Sequence, residues 1–307
     1  MKKYVLFFLC IGFIFTIHAA AQSSQIKYTL IPETPRPGEP VTIGVNSAVR
    51  RAVLLANEKQ LSKAAFFPVP ASGGKPGFMA AILAVPSTAS PGAAVIRLET
   101  GDGAVSEIPL TIADREFISE TIALNQTLTG LITETDPQKT AEAELLWAIL
   151  NRTGNEIYHS GTFILPVSST RRTSIFGTRR VYKYPNGRSS TSIHAGVGFG
   201  VPTGTQIIVS GSGKVVLARM RIVTGNTVIV EHAPGVYSLY YHLDKIETQE
   251  GDMVSAGTLI GLAGATGFAT GPHLHWELRV SGENTDPDIF VIRPILDKDL
   301  IISKIFN

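Results

Sequence analysis

Short apolar runs separated by turn-forming residues fill the first third of the chain. Proline and glycine interrupt the runs, as at Pro37-Gly38 and Pro91-Gly92. Short runs with frequent breaks are typical of the strands of a β-sandwich. The pattern predicts six strands, over residues 26–30, 41–45, 52–55, 78–85, 94–99 and 107–113. We therefore expect an immunoglobulin-like β-sandwich over residues 22–114, with no reactive cluster, which suits a spacer or a binding module.

A helical pattern stands out in the following segment, residues 115–160, which we interpret as a connector. Asp136 is placed to cap a helix, and Pro137 suits its first position because the missing N–H would have no helical partner there. The apolar residues that share one helical face are Leu145, Leu146, Ile149 and Leu150. Gly154 follows the predicted end. We expect one helix over residues 136–152 that packs against a domain, with Trp147 in the core or at an interface.

Glycine-rich β-type sequence takes over between residues 161 and 282, where 18 of the 29 glycines fall. Short β-branched runs lie between these glycines. Glycine at turns and bulges suits a strongly curved antiparallel sheet. We therefore predict a mainly β protein whose second domain, residues 161–290, is a curved antiparallel β-sheet followed by a C-terminal tail over residues 291–307.

Histidines concentrate in this second domain. His273, His275 and Glu277 alternate with apolar residues, so on a strand they would share one face. Two imidazoles on one face form either a metal site or a hydrogen-bonded polar surface, and the spacing leaves both interpretations open. By the same alternation, Tyr240 and His242 would share a face of another strand.

Composition narrows the classes of function. The chain has 27 basic and 25 acidic residues, a net charge of +2, which offers no broad basic surface for nucleic acid.

Residues 1–21 have the charged start, apolar run and small-residue end of a signal peptide, and the alternative is a retained membrane anchor. The apolar run is short for a membrane span. The single cysteine, Cys10, lies in this segment, so an exported chain would have no disulfide and no cysteine-ligated zinc.

Several short motifs occur in a fixed order along the second domain. They are Phe176-Gly177-Thr178-Arg179, His194-Ala195-Gly196, Pro202-Thr203-Gly204-Thr205, Tyr240-Tyr241-His242-Leu243, Glu250-Gly251-Asp252 and Gly271-Pro272-His273-Leu274-His275. In this order they resemble the lysostaphin/LytM-type metallopeptidases, peptidase family twenty-three. The preceding sandwich and connector resemble the N-terminal part of exported bacterial members. The resemblance implies an exported zinc endopeptidase of the periplasm or cell envelope that cuts stem or cross-bridge peptides of peptidoglycan.

The resemblance also implies roles for individual residues. His194 and His275 match the zinc-binding histidines, and His242 and His273 match the histidines that handle protons and stabilise the oxyanion. The family places an aspartate ligand four residues after the first histidine, where this chain has Gly198. A catalytic zinc normally keeps three protein ligands. Two functions therefore stay open: a zinc endopeptidase, and a degenerate domain that binds peptidoglycan or regulates a wall hydrolase or divisome protein.

Four further residues are weaker candidates. Arg179 can bind a peptide carboxylate and Tyr240 can hydrogen-bond a carbonyl, and the alternatives are a surface arginine and a half-buried tyrosine. Glu231 and Glu277 are conceivable substitutes for the missing carboxylate ligand, or structural acids.

Overall fold

The computed structural model describes residues 26–152 and 154–307, and in this part the protein is mainly β, as predicted. The predicted signal peptide lies outside the described residues. The strands are β1 (Tyr28–Ile31), β2 (Pro40–Val45), β3 (Val49–Ala56), β4 (Lys59–Ala65), β5 (Phe67–Val69), β6 (Phe78–Ala84), β7 (Gly92–Thr100), β8 (Val105–Ile112), β9 (Ser119–Ala123), β10 (Arg172–Ser174), β11 (Arg179–Lys183), β12 (Ser189–Ile193), β13 (Val197–Phe199), β14 (Gln206–Ile208), β15 (Gly213–Arg221), β16 (Gly225–Ala233), β17 (Val236–Ile246), β18 (Met253–Val254), β19 (Leu259–Ala263), β20 (Leu274–Val280) and β21 (Glu283–Thr285). The helices are α1 (Gln126–Thr133), α2 (Pro137–Leu150), α3 (Pro287–Ile292) and α4 (Lys298–Phe306).

Strands β1 to β8 form a sandwich of two antiparallel four-stranded sheets. One sheet has the order β1-β2-β6-β5 and the other the order β4-β3-β7-β8. Val41, Ile43 and Leu54 are fully buried between the sheets, where apolar side chains from both inner faces interlock. The six predicted strands are present, together with β4 and β5. Strand β4 was missed because it is an edge strand with exposed lysines and little apolar alternation.

Strand β6 joins the sandwich to the second domain. Ala81 and Leu83 face the sandwich core, whereas Ala80 and Ile82 pack into the core that both domains share. A continuous apolar run is what a strand buried on both faces requires. Helix α4, in the predicted tail, lies on β1 and β2. The Ile301 side chain there occupies the space that a side chain at position 44 would need, so the glycine at that position lets the helix approach.

The second domain is built on a ten-stranded sheet. Its main path has the order β10-β13-β20-β17-β16-β15-β18, to which β14, β19 and β21 add at the sides. One face packs toward the sandwich. The other face carries Leu217, Ile229 and Leu239, which Ile149 of α2 covers. Trp147, expected in the core or at an interface, is 53% exposed, and its ring lies next to Gly282 in the turn between β20 and β21.

The connector is more structured than the sequence predicts. The predicted helix is present as α2, with Pro137 at its start and the Asp136 carboxylate accepting a hydrogen bond from the Gln138 N–H at 2.7 Å. The connector also contains α1 and β9, and β9 pairs in parallel with β11 of the second domain. These partners are distant in sequence, so local pattern could not indicate them. Among the described helices, none combines the length and apolar character needed to cross a membrane.

Candidate functional site

A cavity of about 740 Å³ lies against the second domain and collects four of the predicted site residues, His194, His242, His273 and His275. The large sheet supplies its floor. One wall is the three-stranded sheet β9-β11-β12, and the other is the loop from Phe268 to Pro272. We refer to this cavity as the groove.

Strand β20 places its histidine as the alternation predicts. His275 and Glu277 face the groove, whereas Leu274 and Trp276 are fully buried in the core on the other side. His273, immediately before the strand, also lines the groove. The Tyr241 ring stacks on the His275 imidazole, with the two rings 3° from parallel and 5.4 Å apart between centroids.

The predicted shared face for Tyr240 and His242 is wrong, and the cause is a β-bulge. Tyr241 and His242 together oppose the single residue Thr227 on β16, and His242 has a φ of 63°. A bulge of this kind re-aims the side chains that follow it. Tyr241 and His242 therefore both reach the groove, whereas Tyr240 is fully buried with its hydroxyl bonded to Ser210.

His194 and His275 face each other through ring nitrogens. His194 Nδ1 lies 2.9 Å from the carbonyl oxygen of Ile175, which can only accept, so Nδ1 carries the hydrogen and Nε2 keeps a lone pair. His275 Nε2 lies 2.9 Å from a carboxylate oxygen of Glu277, which fixes the opposite tautomer. His194 Nε2 and His275 Nδ1 are 3.0 Å apart. Two converging lone pairs at this distance suit a shared cation.

Glu277 supports His275 from behind. Burial opposes its ionisation, but the Arg279 guanidinium and His275 hold the pKa of the Glu277 carboxyl at about 2. It contacts Nε2 of His275, the nitrogen that points away from His194. Glu231 bonds the Tyr237 hydroxyl instead and does not line the groove. Both acids therefore occupy structural positions in this arrangement.

His242 and His273 form a second imidazole pair, with ring centroids 4.8 Å apart. Each donates its Nδ1–H to a backbone carbonyl at 2.8 Å, of Thr266 and Gly271 respectively, so both present an Nε2 lone pair. Burial lowers the pKa of His242 to about 3 and also lowers that of His273. Burial lowers the pKa of His194 to about 2. These three imidazoles are therefore neutral near pH 7 and can accept protons or bind a cation.

Gly198 lies beside these histidines, paired with His275 across β13 and β20. A Cβ atom at this position would be 2.5 Å from Thr173 Oγ1 and 3.7 Å from His273 Cδ2. A side chain here would thus start inside the groove, in space now taken by Thr173. Among residues 26–152 and 154–307, no three acidic, histidine or cysteine side chains form a metal-binding group. The donors do not fit a catalytic zinc with three protein ligands.

Arg179, a predicted substrate contact, lies apart from the groove lining. Its guanidinium donates to the carbonyl oxygens of Ser87 and Gly177, at 2.6 and 3.0 Å, and lies 4.3 Å from the centroid of the Phe117 ring. It ties the sandwich to the second domain. The neighbouring Arg180 points into the groove instead. Alternation along β11 could have indicated this choice, had the strand been predicted.

Comparison with known proteins identifies the class of the second domain. Residues 192–287 match the model of peptidase family M23. A crystal structure of a Pseudomonas aeruginosa protein described as an M23 peptidase has a TM-score of 0.59 and 24% identity, over 84% of this chain and 94% of that one, which shows a shared fold. Residues 192–287 are therefore similar in sequence to the peptidase domain of family M23, as the motifs indicated.

Two relatives are more similar in sequence. Peptidoglycan DD-endopeptidase ShyA of Vibrio cholerae is 42% identical over 118 residues, 38% of this chain and 27% of ShyA. DD-carboxypeptidase/endopeptidase Mpg of Neisseria meningitidis is 36% identical over 135 residues, 44% of this chain and 30% of Mpg. The chain thus matches less than a third of the length of either relative.

Proposed function

We propose that the groove binds the peptide part of bacterial peptidoglycan and, as the chain stands, does not cut it with zinc. The relative named peptidoglycan DD-endopeptidase ShyA supports the class of ligand. The proposal that the chain does not cut the peptide rests on a single observation. Gly198 faces the groove beside His275 and supplies no donor atom. Binding without cleavage suits a protein that recruits or regulates a wall hydrolase or divisome protein outside the cytoplasm.

The physical reason lies in the number of ligands. His194 and His275 offer two nitrogens, and a third protein donor would normally complete a catalytic zinc site. Loss of one ligand that weakens metal binding by about two orders of magnitude corresponds to about 2.7 kcal/mol. Thr173 adds a steric obstacle, because its hydroxyl occupies the space in which a ligand side chain at position 198 would begin.

The second candidate function is a zinc endopeptidase, and a different observation favours it. The tautomers of His194 and His275 direct two lone pairs at one point, as a metal would require. The buried His242 and His273 present two neutral nitrogens in the same groove, where a reacting peptide would need proton acceptors. In this case the two facing histidines would hold the zinc.

One experiment separates the two candidates. Purified protein is incubated with peptidoglycan sacculi, with and without added zinc, and bound protein and released fragments are measured by sedimentation and mass spectrometry. We expect the natural chain to sediment with the sacculi and to release nothing. The double variant Thr173→Ala/Gly198→Asp, which supplies a carboxylate and the space for it, should bind zinc about 100-fold more tightly in a chelator competition.

The matched controls are Thr173→Ala alone and Gly198→Asp alone. The first should leave zinc affinity unchanged, and the second should gain less than the double variant because Thr173 still crowds the carboxylate. Zinc-dependent release of fragments by the natural chain, abolished by His242→Ala, would establish the endopeptidase instead. Failure of the natural chain to sediment with sacculi would contradict the binding function.

A further inference from the structure

The connector strand β9 builds part of the groove and brings an acidic side chain into it. In the parallel register of β9 and β11, Glu120 lies opposite Arg180 and Ile122 lies opposite Tyr182. Residues opposite each other in a sheet point to the same face. All four side chains line the groove. The wall of a peptide-sized groove thus includes a paired carboxylate and guanidinium from two distant segments.

Arg180 connects this wall to the histidines. Its Nε lies 2.7 Å from Oε1 of Glu120, and its Nη2 donates to Ser174 Oγ at 2.6 Å. Ser174 Oγ lies 3.2 Å from Nδ1 of His194. The positive charge of Arg180 also contributes to the lowered pKa values of His194 and His273, after burial, the largest cause for both. Arg180 therefore places a positive charge in the groove wall, with the Ser174 hydroxyl between it and His194.

The pairing with Glu120 leaves binding capacity on the guanidinium. Only one oxygen of Glu120 accepts a hydrogen bond from Arg180, and the donor is the Nε atom. A guanidinium binds a carboxylate best through two parallel hydrogen bonds. The Arg180 side chain is 16% exposed and that of Glu120 is 34% exposed, so the carboxylate can turn toward solvent more easily than the guanidinium. The other acid of the groove, Glu277, is already paired with Arg279.

We propose that Arg180 is the groove's receptor for a carboxylate of the bound peptide, and that Glu120 occupies this receptor until the peptide displaces it. This inference rests on the proposed function, since it names the chemical group by which the same groove recognises its ligand. The ligand class is a peptide with a free carboxylate, such as a peptide C-terminus. Arg180 sets specificity and Glu120 competes with the ligand.

The test compares two peptides that differ only in the carboxylate. Acetyl-Lys-D-Ala-D-Ala is titrated as the free acid and as the C-terminal amide into the whole purified protein, by isothermal titration calorimetry. We expect the natural chain to prefer the acid. Because a glutamine amide competes with the ligand for the guanidinium less strongly than a carboxylate does, Glu120→Gln should tighten binding of the acid by about tenfold and leave the amide unchanged. Arg180→Gln should bind both peptides with the affinity of the amide.

Arg188→Gln is the matched control, because it removes an exposed arginine from the same hairpin without touching the groove lining. It should leave the ratio of the two affinities unchanged. Equal binding of acid and amide by the natural chain overturns the inference, whatever the variants do. If sacculi bind but neither peptide does, this inference fails and the proposed function stands. If neither sacculi nor peptides bind, both fail.

Discussion

The two β-domains of this protein bury their interiors in different ways. Between the sheets of the sandwich the buried side chains are apolar apart from Ser62, and they alternate regularly, as for Val41 and Ile43. The second domain buries polar groups as well, among them His232, Ser238 and Glu277. Regular alternation supplies stability without chemistry. The ten-stranded sheet of the second domain alternates less regularly, and its bulges and buried polar groups hold ionisable side chains in fixed directions.

Glycines show the same contrast. Gly103 in a sandwich turn and Gly225 at the start of β16 both have positive φ, of 86° and 66°. A Cβ atom at Gly103 would meet no atom within 4 Å, whereas one at Gly225 would lie 2.5 Å from the backbone carbon of Thr266. Thr266 in turn accepts the hydrogen bond of His242. Gly103 thus serves turn geometry alone, whereas Gly225 also permits close packing beside the site.

The largest effect is expected from Gly225→Ala. Left-handed strain and overpacking against backbone together should lower the free energy of unfolding by about 3 kcal/mol. Gly103→Ala, the matched change in the sandwich, carries only the strain and should cost about 1 kcal/mol. Urea unfolding of both variants measures the difference. Equal losses would contradict the contrast between an open and a crowded glycine.

A smaller effect should appear when the pH falls. His232 is fully buried, donates from Nδ1 to the Ser212 carbonyl at 2.8 Å, and accepts at Nε2 from Ser238 Oγ at 2.6 Å. Burial lowers its pKa from 6.5 to about 3. The unfolded chain therefore binds the proton first, so the stability is fully present above pH 6.5 and is lost as the pH falls toward 3. At pH 5 the loss that comes from His232 alone should be about 2 kcal/mol.

The measurement is the free energy of unfolding at pH 7.5 and at pH 5, for the natural chain and for His232→Asn. The asparagine can keep the hydrogen bond to Ser212 but has no proton to gain, so the difference between the two pH values should shrink by about 2 kcal/mol. The sandwich contains no histidine between residues 26 and 113 and cannot contribute such a term. An unchanged pH difference in the variant would assign the acid sensitivity to another group.

The smallest effect lies in the connector between the two domains. Asp136→Ala removes the side-chain oxygen that caps α2 and should lower the free energy of unfolding by about 1 kcal/mol. Asp136→Asn keeps an oxygen at the same place and should be nearly neutral. Thermal unfolding of the pair distinguishes them. If asparagine costs as much as alanine, charge at the helix start matters more than the hydrogen bond.

Sequence pattern predicted the regular parts of the fold well. The apolar runs marked six sandwich strands, and the alternation from His273 to Glu277 marked β20. Cap chemistry at Asp136 marked α2 to within a few residues. Strand β9 and helix α4 were not predicted, because tertiary contacts with β11 and with the first sheet determine them.

The site was predicted in part. The motifs indicated the four histidines and the departure at Gly198, and all five line one groove. The sequence misassigned Tyr240 because a bulge breaks the period of two, and a bulge has no reliable local signal. The places of Thr173 and Glu120 in the groove, and the pairing of Arg180 with Glu120, were not predicted for a different reason. Their roles depend on which residues lie opposite each other on neighbouring strands. That register is known only from the folded structure.

The parallel pairing of β9 with β11 also limits how the protein can be divided. A fragment that begins near residue 161 would contain every histidine of the groove but would lack one strand of its wall. Strand β11 would then become an open edge, with unpaired N–H and C=O groups that attract strands of other molecules. A fragment that contains the groove histidines but lacks β9 is therefore expected to self-associate through the open edge of β11. The unit that carries the complete groove therefore includes strand β9, which ends at Ala123, almost fifty residues before the next groove residue, Arg171.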